Sequence, residues 1–328
     1  MAQRPQGPDF KAQAQAARAD FERQLQEGRA QFDNARAQFD EVNERIRART
    51  GRNLILAILI GLGAGVLVLG SLIFVTELFM VFAAAAIALA VVELGTALRV
   101  SGRDIPRTAS VIAALAVVPA SYYLDAEWRW VVTMAGIAFV VLWRVVEYAW
   151  PSRRGGADAL LRDITASILV LAYVGLLASF AVLLASPNAS PGGKWWLIAA
   201  VVVVVATDTG AYAAGLNFGR HKMAPEISPG KTWEGFAGAG AAAIVAGILL
   251  SIFMIHVPWW FGFVLGPVLL FTATIGDLAE SLIKRDIGIK DMSGWLPGHG
   301  GVLDRLDSIL PSMAATYALY LIFYPLFS

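Results

Sequence analysis

The sequence contains no cysteine and only three histidines among 328 residues. Thiolate metal sites, thiol catalysis and disulfides are thereby excluded, while nothing follows about redox compartment. Charge is scarce as well: Asp, Glu, Lys and Arg make up 16% of the chain, against about 25% in an ordinary soluble domain. The net charge of +1 leaves no strongly basic surface, so no nucleic-acid partner is expected. Apolar residues, by contrast, reach 57%, with a mean hydropathy of +0.62. The few charges are also uneven: residues 1–53 hold 10 Lys/Arg and 8 Asp/Glu of the 51 in the chain. A soluble enzyme, a disordered chain and a disulfide scaffold are excluded. The composition is that of a multi-pass membrane protein with a polar arm, 1–53.

That arm is too polar for a signal peptide. Its apolar positions Phe21, Leu25, Phe32, Phe39, Val42 and Ile46 follow heptad spacing, the pattern of a short coiled coil. Gly28 and Ala35 weaken such a seam, which favours an amphipathic helix in solvent or on a membrane surface. Beyond it, apolar stretches of about 20 residues, enough to span a bilayer, predict nine spans. They run over 54–75, 78–98, 108–124, 130–148, 164–185, 195–216, 235–255, 259–283 and 307–327, with Pro119, Arg144 and Glu147 intruding on the third and fourth. The expected fold is an all-α polytopic membrane protein: N-terminal transmembrane helices over 54–204 and a catalytic transmembrane region over 205–328. Of the 26 Lys and Arg residues, 24 fall on the side of the arm, and only Arg129 and Lys194 on the other. The positive-inside rule then places the N-terminus in the cytoplasm and Ser328 outside. The long connections 217–234 and 284–306 share the cytoplasmic side, so a polar cavity facing the cytoplasm is expected. Gly61, Gly63 and Gly65 make a small-residue face in the first span, read mainly as packing within the chain.

Charged residues within spans are costly and are candidates by default. Glu77 reads as a span boundary, Glu93 as a pairing or cavity residue, and Arg144 and Glu147 as an i, i+3 pair. The last third is richer. Asp208 follows five consecutive valines and Ala206-Thr207, while Asp277, Glu280, Ser281 and Lys284 share one helix face. Glu280 and Lys284 also suit a snorkelling pair. Asp304 and Asp307 recur as D-x-x-D at the start of the last span. Carboxylates at that density repel one another unless cations or protons intervene, and oxygen ligands suit Mg²⁺. The loop between them carries Gly298, Gly300 and Gly301 around His299, where backbone N–H groups can approach an anion. Lys284, Arg285, Lys290 and Arg305 are cationic donors for phosphate oxygens. In the preceding loop, Gly230-Lys231-Thr232 looks like the tail of a P-loop, but Pro225 stands in place of the first glycine and no strand is expected before it. Lys231 at a helix entrance, with Ser228 and Thr232, survives as an anion site.

Carboxylates, cations and glycine-rich loops sunk in a bilayer suggest phosphoryl or nucleotidyl transfer onto a lipid. An ion-coupled transporter would also place carboxylates in the membrane, but the charges crowd one face and the outer side offers little polar access. Residues 281–307 read S-L-I-K-R-D-I-G-I-K-D-M-S-G-W-L-P-G-H-G-G-V-L-D-R-L-D. This resembles, position for position, the signature of the phosphatidate cytidylyltransferases, also called CDP-diglyceride synthetases. Asp208 to Tyr212, Ser228 to Gly235 and Gly276-Asp277 also look like family elements.

The resemblance implies a reaction in which CTP and phosphatidate give CDP-diacylglycerol and pyrophosphate, in a homodimer among membrane lipids of the cell membrane. It further implies Mg²⁺ on Asp277 and Asp304, with Asp307 a further ligand or the neighbour of a monovalent cation such as K⁺. Lys290 and Asp291 would position the CTP triphosphate, with His299 and the Gly300-Gly301 backbone beside it. Arg220, Ser228, Lys231 and Arg285 would hold the phosphatidate headgroup or the pyrophosphate. A CTP-dependent lipid kinase, which releases CDP instead, shares this logic and is the nearest alternative.

Overall fold

A computed structural model describes residues 54–150, 156–293, 295 and 300–327. The N-terminal arm and His299 therefore lie outside the described residues. The chain divides into two units, Met1–Ile60 and Gly61–Ser328; the second carries all but the start of the helical region. In chain order the helices are α1 (Leu54–Phe74), α2 (Thr76–Val100), α3 (Arg107–Tyr123), α4 (Ala126–Ala149), α5 (Ala157–Ala185), α6 (Gly193–Phe218), α7 (Trp233–Ile255), α8 (Trp259–Ile287) and α9 (Leu303–Phe327). Every expected span is helical. Among the described residues seven of them, α2 and α4 to α9, are long and apolar enough to cross a membrane, two short of the nine expected. Helix α3 has 17 residues, short of the roughly 20 that a bilayer requires, and of α1 only Gly65–Phe74 enters the count, as a shorter apolar helix.

The helices run longer than apolarity alone delimits them. Helix α5 begins at Ala157, not 164, and α8 continues to Ile287, not 283, because polar residues such as Asp163 and Lys284 find partners inside the protein. A π-helical turn over Leu171–Leu176 interrupts α5, and another over Ser251–Ile255 closes α7. The 217–234 connection, expected as a loop, holds a two-stranded antiparallel hairpin of β1 (Lys222–Ala224) and β2 (Ser228–Thr232). Pro229 and Gly230 inside β2 hid it, since both residues weaken strand assignments.

Two apolar cores organise the helices. One gathers buried residues of α2, α3 and α5, such as Leu94, Ala113 and Val174; the other gathers α6 to α9 with Leu72, among them Trp196, Phe261, Leu265 and Met313. Small residues set the closest approach. A Cβ on Gly210 of α6 would stand 2.7 Å from Ala242 Cβ of α7, and one on Gly238 would collide with Ala214. Small residues let helix backbones come together in a membrane, and here they bring α6 and α7 side by side at the site. By contrast, a Cβ on Gly63 or Gly65 would meet nothing within 4 Å. Packing within the chain, expected for those two, is not found among the described residues.

Candidate active site

The site is assembled where the end of α6, strand β2, the start of α7 and the last turns of α8 meet. A cavity of about 240 Å³ lies there, and its lining includes Thr207, Asp208, Lys231, Thr232, Phe236 and Asp277. Lys231 reaches across it from β2 to α8, its ammonium 2.6 Å from Asp277 Oδ2. Ser281, one turn on, donates to Asp277 Oδ1 at 3.3 Å. Asp208 lies within electrostatic reach of Asp277, Asp307, Lys231 and Arg305. Three separated stretches of sequence thus place two carboxylates and a lysine on one cavity wall, with Asp307 and Arg305 in electrostatic reach of Asp208.

Close approach fixes Asp277 relative to Asp307. A Cβ on Gly276 would strike the Asp307 carbonyl oxygen, and Pro311 Cγ would stand at 2.8 Å. Only glycine allows α8 and α9 to cross there, which sets the two aspartates on facing helices. Asp307 is buried, and its Oδ1 accepts from the Ser308 N–H at 2.6 Å.

Asp304 sits differently. Its Oδ1 accepts from Lys284 at 2.8 Å, and its Oδ2 accepts from the N–H groups of Met292 at 3.1 Å and Gly301 at 2.7 Å. Both oxygens are committed to holding the signature loop against α8 and α9. Gly300 beside it has φ +80°, where a side chain would be strained, and its Cβ would stand 2.8 Å from Asp304 Oδ2. Lys284 also donates to Glu280 Oε2 at 2.6 Å. Glu280 is fully buried and the Lys284 side chain 14% exposed, so the pair is internal rather than snorkelling. It braces Asp304 through the Lys284 ammonium.

Glu93 contributes what the sequence left open. From α2 it accepts from Ser293 Oγ at 2.5 Å, Val302 N–H at 2.9 Å and Leu303 N–H at 2.8 Å. A carboxylate at the N-terminus of α9 satisfies donors that the helix cannot. Its partners are about 200 residues away in the chain, so no local spacing reveals them. The only available signal is an intramembrane acid without a basic residue one turn away.

The other predicted site residues take several different places. Thr232 caps α7, its Oγ1 accepting from the Gly235 N–H at 3.1 Å. Ser228 opens β2 and is half-buried. Arg220 is exposed, its N–H bonded to Glu234 Oε2 at 3.1 Å. Arg285 donates through Nε to the Ile227 carbonyl at 3.3 Å, tying the hairpin to α8. Lys290 and Asp291 are exposed in the turn after α8, away from the cavity lining, although Asp291 Oδ1 would stand 3.6 Å from a Cβ on Gly300. Arg305 is exposed one residue beyond Asp304. Among the described residues, no group of three or more His, Asp or Glu side chains is gathered as a metal cage.

Fold and site together define a multi-pass membrane protein with a cavity walled by two carboxylates and a lysine. A model of the cytidylyltransferase family matches residues 55–323. A phosphatidate cytidylyltransferase of Mycobacterium leprae is 39% identical over 283 residues, covering 83% of this chain and 88% of that protein. One from Mycobacterium tuberculosis is 38% identical over 82% of the chain and 83% of its own length. One from Brucella suis is 41% identical over 133 residues, 40% of the chain and 49% of that protein. The chain belongs to the cytidylyltransferase family, among the phosphatidate cytidylyltransferases. It is accordingly a membrane enzyme that transfers a nucleotidyl group.

Proposed function

We propose that the chain transfers the cytidylyl group of CTP to phosphatidate at the cavity between α6, β2, α7 and α8, giving CDP-diacylglycerol and pyrophosphate. A phosphatidate oxygen attacks the α-phosphorus of CTP; that P–O bond forms as the bond to the β-phosphate oxygen breaks. A phosphate monoester, with a second pKa of about 6, is already largely anionic near neutrality. No strong general base is needed, in keeping with three histidines in the whole chain. The obstacle is to bring two polyanions together, which positioned cations lower.

The Lys231–Asp277 pair carries this reading: a cation and a carboxylate 2.6 Å apart on the cavity wall, with Asp208 and Asp307 in reach. That donor set fits Mg²⁺ as held by one or two carboxylates plus substrate phosphates, not by an all-protein cage. Asp277 and Asp307 are the ligands we assign, with Asp304 joining them only by releasing Lys284 or a loop amide. When bound, the metal neutralises phosphate charge as it builds up during transfer. A monovalent cation such as K⁺ fits beside Asp307, next to buried Glu280. Lys231 and Ser228 hold one phosphate group at the β2–α7 junction. Arg220, Arg285 and Arg305 guide anions toward it, Lys290 and Asp291 meet the nucleotide from the loop side with His299, and Asp304 with Gly300 and Gly301 shapes that loop.

The 24-to-2 bias of Lys and Arg supports a cavity opening to the cytoplasm in the cell membrane, an N-terminus inside and a C-terminus outside. The protein works there as a homodimer. Purified protein given CTP, phosphatidate and Mg²⁺ is expected to release pyrophosphate in step with CDP-diacylglycerol. CDP release would show a lipid kinase instead, and neither product from a folded sample would return the transporter reading.

A further inference from the structure

The front of α8 belongs to the active site, and its back borders a second and larger space. At about 100° per residue, Asp277, Glu280, Ser281 and Lys284 cluster on one side of α8, while Leu282, Ile283 and Asp286 point to the opposite side. Those last three line a cavity of about 620 Å³ shared with α2 and α5. Its wall includes Leu161, Leu169 and Leu282, which remain 61%, 41% and 54% exposed. Its charged residues are Arg103, Arg162 and Asp286. Arg103 is tethered to Asp286 at 3.2 Å, whereas Arg162 is exposed and makes no ion pair among the described residues.

We infer that this cavity holds one anionic phospholipid that is not the substrate, with its acyl chain against the leucines and its headgroup phosphate at Arg162 and Arg103. Exposed apolar walls within a span region accept hydrocarbon, and arginine is the side chain best suited to phosphate oxygens. Two arginines against one aspartate leave a single positive charge. That balance matches a phosphodiester, which carries one negative charge, better than the dianionic phosphate of phosphatidate. The two sites lie on opposite faces of one helix, roughly a helix diameter of about 10 Å apart, so both can be filled together.

The test is lipid retention, which requires no turnover. Protein reconstituted in phosphatidylcholine nanodiscs with a minor share of phosphatidylglycerol is released and weighed by native mass spectrometry. One phosphatidylglycerol per chain is expected on the wild type. Retention should fall at least about tenfold, or about 1.4 kcal/mol, in Arg162→Gln. It should fall likewise in Thr165→Trp, which puts a bulky side chain into the cavity from its wall and leaves all three charged residues in place. The phosphatidate KM of both variants should stay within about twofold of wild type. Equal retention by variants and wild type, or phosphatidylcholine held as well as phosphatidylglycerol, would overturn the inference. So would a phosphatidate KM raised in step with lost retention, because the cavity would then be part of the substrate's route.

Discussion

The α2–α5 region and the α6–α9 region both bury charge inside apolar helices, yet they do so to different ends. In the first, Arg144 lies 2.6 Å from Asp163, with Asp104 and Glu147 each at 3.4 Å. Asp163 accepts from two guanidinium nitrogens and from the Asp104 N–H. Its buried cation and buried acid complete each other. In the second, Asp208, Asp277 and Lys231 line an open space, with Asp307 and Arg305 in electrostatic reach of Asp208, and behind them Lys284 serves two acids, Glu280 and Asp304. Among the described residues, acids there outnumber the cations paired with them. Buried charge alone therefore does not mark a site; charge gathered on the wall of an open cavity does.

Breaking the comparison at its strongest point gives the largest effect. Asp277→Asn should lower kcat by at least about 1,000-fold, near 4 kcal/mol of transition-state stabilisation, without altering thermal stability. Wild-type turnover in that variant would move the site elsewhere. Asp304→Asn weakens the clamp between Lys284 and the loop amides, and a loss of about 100-fold is expected. Unlike Asp277→Asn, it should also lower the melting temperature, and saturating Mg²⁺ should not restore the rate. Glu93→Gln turns an amide donor toward one of the two backbone donors at the start of α9, which separate Glu93 oxygens accept; about tenfold in kcat and about 1–3 kcal/mol in stability are expected. The smallest effect on catalysis belongs to Arg144→Gln. It strands Asp163 and should cost about 3–5 kcal/mol of stability, while kcat per folded molecule stays within about twofold. A specific catalytic loss in that variant would erase the distinction between the regions.

Much of this was legible in the sequence. Each expected span proved helical, and Asp277, Asp304 and Asp307 do fall on two helix ends bordering one loop. What spacing did not convey is how the oxygens are used. Lys284 at i, i+4 from Glu280 reads as a surface pair until α9 covers it and Asp304 takes its other side. The glycines at 300 and 301 read as an anion cradle, yet the Gly301 N–H is bonded to Asp304, and Glu93 takes the two amides after it. Glu93 itself had no local partner to announce it. Thr232 reads as part of a phosphate loop, whereas its hydroxyl caps α7. Contacts between residues far apart in the chain decide these cases, and hydrophobic periodicity carries no information about them.

The central claim is that metal-assisted cytidylyl transfer takes place at Asp277. Pyrophosphate release from CTP and phosphatidate, measured as Mg²⁺ is titrated into wild type and Asp277→Asn, tests it most directly. The account predicts saturable activation of the wild type, reversible loss on chelation, and no release from the variant at any Mg²⁺ concentration. A variant that reaches the wild-type rate along the same Mg²⁺ curve would contradict it.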